Sequence, residues 1–153
     1  FGIIQSTLHF EWFKARCSTL GTGFRYTSDT VFDTFPWPQS PTRPQIEAVA
    51  REAVALRALR REVMARMKWS LRDLYRTLEE PGANPLRDAQ NRLDSAVRAA
   101  YGMAKDAEIL AFLLDLNLTC AAREAAGQPI TPPGLPLPES EHLAFLTDDC
   151  IRV

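Results

Sequence analysis

Apolar residues recur three or four positions apart along most of this chain. Ile3, Ile4, Leu8, Trp12 and Ala15 form one stripe and predict a helix over residues 2–17. Gly21 and Gly23 follow, the residue type that exits helices in left-handed geometry. From Ile46 through Val49, Ala53, Leu56, Leu59, Val63, Met67, Leu71 and Leu74 to Leu78 the mean step is about 3.6, the period of a long amphipathic helix. Thr42 is its N-cap candidate and Pro44 falls in its first turn. Ser70 marks a fresh start, so a break is expected near 68–70, and Pro81-Gly82 ends the region. Leu86, Ala89, Leu93, Val97 and Ala100 predict a third helix from Pro85 to Tyr101, with Asn84 as N-cap and Gly102 as exit. A fourth is predicted from Asp106 to Ala126. Its middle, "ILAFLLDLNL", is apolar almost all round, which predicts a central helix packed on two sides.

Between the first two helices the pattern changes. "LGTGFRYTSDTVFDTFPWP", residues 20–38, has no helical period. Phe24–Tyr26 and Thr30–Phe32 are β-branched and aromatic, and predict two short strands about a turn at Ser28-Asp29. Pro36 and Pro38 then stop regular structure. The expected fold is mainly α: an antiparallel bundle of about four helices with a short β-hairpin-like element near residues 24–33. The expected organisation is residues 1–41, a helical bundle at 42–128, and a Pro-rich, acidic and extended tail at 129–153, partly disordered.

Composition narrows the chemistry. The chain has 153 residues, 46% hydrophobic and 24% charged, with a net charge of −1. That is enough apolar material for a core, and too little positive charge for a nucleic-acid coat. The charge is uneven: residues 42–80 carry nine Lys/Arg against six Asp/Glu, and residues 129–153 carry one against four. A polyanion would therefore meet the chain upstream of the tail. Cys17, Cys120 and Cys150 are odd in number and widely spaced, as in a reducing cytoplasm. They do not fall at metal-ligand spacing with His9 or His142, so no metal site is expected. The opening stretch carries His9, Glu11, Lys14 and Arg16 and is neither a signal peptide nor a membrane span. A start at Phe1 inside an amphipathic pattern suggests a piece of a longer protein.

No phosphate loop, nucleophile elbow or clustered metal ligand is present, so no catalytic residue is assigned. His9 reads as a satisfied, half-buried core histidine, and Asp115 and Asn117 as polar groups bonded within the bundle. Arg57, Arg61, Lys68, Arg72 and Arg76, with Arg60 beside them, share one side of the long helix. They read either as a ladder against phosphates or as a solvated face with pairs such as Glu47–Arg51 and Glu62–Arg66. Arg25 lies among aromatics in a glycine-bounded loop. Arginine reads guanine edges or holds phosphate, and Tyr26 and Thr27 add hydroxyls. Against that, Phe24, Tyr26, Phe32, Phe35 and Trp37 would serve to pin the loop to the bundle.

Three separated stretches carry a resemblance. "QSTLHFEW" (5–12) followed by a glycine turn, "RYT" (25–27) and "FPWP" (35–38) resembles the end of the target-recognition domain in type IIG and MmeI-like restriction–modification methyltransferases. "NPLRDAQNRLDSAVRAAYG" (84–102) and "LLDLNLTCAAREAAGQPITPPGLP" (113–136) resemble the helical C-terminal segment of the same bacterial enzymes. The family methylates adenine in DNA with S-adenosylmethionine. The resemblance implies that Gly21, Thr22, Gly23, Phe24 and Arg25 stand where relatives contact bases. The DNA-binding set it implies is Thr22, Gly23, Arg25, Tyr26 and Thr27, with Arg25 foremost. It implies double-stranded DNA and an upstream methyltransferase domain as partners. The family's Asn-Pro-Pro-Tyr motif and cofactor glycines are absent here, so no cofactor is expected in this chain; S-adenosylmethionine belongs to the parent protein. The other reading is a purely structural or protein-interaction bundle, including one that dimerises.

Overall fold

The computed structural model describes residues 1–21, 23–148 and 150. Its helices are α1 (Thr7–Arg16), α2 (Arg43–Met67), α3 (Leu71–Arg76), α4 (Pro85–Ala100), α5 (Ile109–Ala125) and α6 (Glu139–His142). Its strands are β1 (Ser18–Leu20) and β2 (Gly23–Arg25), paired antiparallel. The protein is mainly α with a small hairpin, as the periodicity predicts.

α2 and α4 are the central pair. Gln45, near the start of α2, donates to the Ala99 carbonyl at the end of α4 at 2.7 Å, and Arg92 reaches Glu52 at 3.4 Å, so the two run antiparallel. All five residues of the predicted α4 stripe, Leu86, Ala89, Leu93, Val97 and Ala100, are buried. Leu86, Ala89, Leu93 and Val97 meet Ala53 and Leu56 of α2, Leu8 and Trp12 of α1, and Leu113 of α5 in one core. Capping residues set the boundaries. Gln45 accepts from the Thr42 backbone at 2.7 Å, and Asn84 accepts from the Leu86 and Arg87 amides. The break after α2 falls at Lys68 (φ 56°), and Ser70 caps α3.

Several expectations need correction. α1 begins at Thr7, not at residue 2. The Ser6 backbone is extended, and its hydroxyl donates to the Ile3 carbonyl at 2.6 Å while capping the helix, which ends the upstream turn. The hairpin lies upstream of its predicted place. Thr19 pairs with Phe24, and Gly21 (φ 63°), directly after β1, takes the left-handed geometry of a tight turn. Ser28–Phe32, expected as turn and strand, winds into one π-helical turn that buries Val31 completely. α5 packs on one side only, leaving Leu114 and Leu118 51% and 60% exposed. Asp115 is exposed there, while Asn117 donates to the Thr34 carbonyl at 2.8 Å. The described part of the tail is docked: Gln39 and Thr131 exchange three hydrogen bonds, and Arg43 pairs with Glu141.

Candidate nucleic-acid interface

The hairpin leans on α1 through Phe13. Side chains alternate along a strand, so Phe24 and Tyr26 share one face and Arg25 takes the other. Phe13 meets Phe24 edge-on at 5.9 Å and stacks on Tyr26 at 5.6 Å and 28°. The Tyr26 hydroxyl lies 3.1 Å from Nε2 of His9. His9 is 4% exposed and meets the Phe35 ring edge-on at 4.6 Å. Burial holds the His9 imidazole below its ordinary pKa. Burial, with the Asp33 carboxylate second, raises the Tyr26 phenol.

Arg25 is exposed, opposite Ser18 in the hairpin register. Its guanidinium makes no hydrogen bond or ion pair among the described residues. Gly23 is exposed opposite Leu20. Thr27 turns away: its hydroxyl bonds that of Thr30, and its carbonyl receives the Val31 amide at the start of the π-turn. Thr22, also predicted as a contact residue, lies outside the described residues. The structure thus leaves Gly23 and Arg25 exposed along the hairpin's edge, with Tyr26 half exposed on the opposite face, and commits Thr27 to the loop's own fold.

Two cations border this edge that the sequence reading did not single out. Lys14 pairs with Glu11 at 2.7 Å, and the Arg16 guanidinium lies 5.7 Å from the Trp12 ring. Both occupy the last turn of α1, immediately before β1. Ser18 and Thr19, exposed on β1, were missed too, because nothing in a three-residue strand marks its register.

The basic side of α2 is largely occupied. Arg60 donates to Gln5 Oε1 at 2.7 Å and to the Tyr75 hydroxyl, and Arg57 lies over the Phe1 ring. Arg66 pairs with Glu62 and Arg76 with Asp73. The expected Glu47–Arg51 pair is replaced by Glu47–Arg43, with Arg51 on Glu52. This is a solvated face with internal partners more than a phosphate ladder. Among the described residues no three His, Cys, Asp or Glu side chains gather as a metal site, and no helix is long and apolar enough to cross a membrane.

The hairpin and its supporting helix fall within a recognised unit. Residues 1–39 match the family described as MmeI, target recognition domain. Over 122 residues the chain is 33% identical to DNA methyltransferase A of Bacillus subtilis (strain 168), covering 75% of this chain and 13% of that protein. Its fold is similar to that of the type IIL restriction–modification enzyme MmeI solved in complex with DNA, with a TM-score of 0.64 and 29% identity over 80% of this chain and 16% of the other. The chain carries an MmeI-like target recognition region. It spans less than a fifth of the length of either relative. The recognition region ends at the Phe-Pro-Trp-Pro segment, whose Pro36 carbonyl accepts from Tyr101 at 2.8 Å. The helices beyond residue 39 are thus bonded directly to it.

Proposed function

We propose that this chain is the DNA-recognition and scaffold part of an adenine-specific, S-adenosylmethionine-dependent DNA methyltransferase of a restriction–modification system. In this reading residues 1–41 close the target-recognition domain, and 42–128 form the helical support that holds it against the upstream methyltransferase domain. The tail from 129 straps the support. The chain itself supplies no methyl-transfer chemistry; the adenine is flipped out of the stack and modified by the upstream domain. The observation that carries the reading is the exposed Arg25 guanidinium, without a hydrogen-bond or ion-pair partner among the described residues, on a hairpin clamped to α1 within the segment that matches the recognition family. Arginine in that position suits a guanine edge in the major groove or a backbone phosphate beside it.

The test is Arg25→Ala in the full-length protein. Site choice is read by methylation mapping and affinity by titrating a duplex. Relaxed specificity or a loss of about 1–3 kcal/mol in binding is expected. Unchanged site choice together with unchanged affinity overturns DNA reading by the hairpin and leaves the purely structural bundle.

A further inference from the structure

His9 and Tyr26 form the best-defined polar contact beneath the exposed edge, and its chemistry is asymmetric. Nε2 of His9 has the Tyr26 oxygen at 3.1 Å, while Nδ1 is buried with no partner. A neutral imidazole carries one proton. On Nδ1 that proton would be sealed in the core without an acceptor. On Nε2 it is donated to the Tyr26 oxygen, leaving only a bare lone pair on Nδ1, which is the smaller loss. The burial of Nδ1 favours the Nε2–H tautomer, in which the Tyr26 hydroxyl is an acceptor from behind. With Nε2 as the donor, the Tyr26 proton has no other acceptor among the described residues, and Tyr26 is 46% exposed.

We propose that His9 is a positioning residue that fixes the Tyr26 hydroxyl as an outward hydrogen-bond donor to an acceptor atom on DNA. This rests on the reading of the hairpin as a DNA-facing element. The Phe13 stack sets the plane of the Tyr26 ring, and His9 sets the direction of its proton. The acceptor is a phosphate oxygen or the acceptor edge of a base, and the two separate in the experiment.

The first measurement needs no DNA. The 153-residue chain has two histidines, so in a 15N-histidine-labelled sample of that chain alone His142→Gln leaves His9 as the one imidazole. Above neutral pH the protonated nitrogen should be Nε2. A proton on Nδ1 overturns the proposal. The second measurement is Tyr26→Phe in the full-length protein, which keeps the ring stack and removes the hydroxyl. Titration uses a short duplex bearing the mapped methylation site and a scrambled duplex of equal composition. A roughly tenfold loss is expected. Equal loss on both duplexes identifies a phosphate oxygen, and loss on the methylation-site duplex alone identifies a base. Unchanged affinity for both overturns the proposal. Third, His9→Gln, whose amide can still donate, should retain binding, whereas His9→Leu should lose as much as Tyr26→Phe, with no further loss in the double variant. Additive losses overturn the coupling. Should His9→Leu not fold, the tautomer and Tyr26→Phe still decide. If Arg25→Ala has its expected effect while Tyr26→Phe has none, this inference fails and the proposed function stands.

Discussion

Asp94 of α4 accepts from both the backbone amide and the hydroxyl of Thr7, at 2.7 Å and 2.6 Å, across 87 residues of sequence. Thr7 is the first residue of α1, so its amide is one of those that a helix leaves unpaired. The central bundle thus caps the helix that carries the hairpin. Asp94→Ala should cost about 1–3 kcal/mol, because two donors lose a charged acceptor. Asp94→Asn keeps one acceptor oxygen and should cost less. Urea denaturation of both variants checks this; an unchanged midpoint for Asp94→Ala would show that α1 is held by apolar packing alone.

Histidine burial predicts a pH dependence. The folded pKa of His9 lies below the ordinary 6.5, so the unfolded chain binds the extra proton first. The stability this confers is complete above about pH 6.5 and is lost as pH falls through the lower folded value. Thermal melts between neutral and mildly acidic pH should show the decline, and His9→Gln should flatten it. Asp73 and Glu108 are held below their ordinary 3.8 and 4.5 by hydrogen bonds to their helix-start neighbours, so their contribution is lost only at more acid pH.

Arg60 separates a structural cation from a DNA-binding one. Its guanidinium serves Gln5 and Tyr75 together, and its ring contact with Tyr75 is 5.3 Å. An ammonium cannot reproduce that fork. Arg60→Lys should lower stability by about 1–3 kcal/mol while leaving the salt dependence of the proposed DNA binding unaltered. A shallower salt slope would instead assign Arg60 to phosphate.

Lys68 is the one non-glycine residue with positive φ among the described residues. Its left-handed backbone strains a side chain that glycine would lack. Lys68→Gly should raise stability by about 0.5–1 kcal/mol, read from the denaturation midpoint. A loss would mean that the Lys68 side chain supports the α2–α3 corner.

Helical elements were legible because local rules act on them: Thr42, Ser70 and Asn84 cap where capping chemistry allows, and the α4 stripe is buried residue for residue. The hairpin was legible in kind but not in place. Phe24, Tyr26 and Phe32 have equal strand character in sequence, and pairing is decided by the turn that closes. Gly21 closes one, while Val31 is drawn into the core and winds its neighbours into a helical turn. α5 was misjudged because an all-round apolar composition does not say how many sides find partners; Leu114 and Leu118 stay more than half exposed.

By itself the sequence determined the helices, their caps, the aromatic anchoring of the 20–38 segment and its likeness to a recognition domain, since each depends on residues near one another in the chain. Tertiary structure alone decided which polar groups are spent inside the fold and which stay outward. Arg60, Thr27 and Arg25 look alike as candidates in one dimension. The first two bond Gln5, Tyr75 and Thr30 in space, and Arg25 makes no hydrogen bond or ion pair with a described residue, because strand alternation turns it away from the Phe13 face to which Phe24 and Tyr26 are bound.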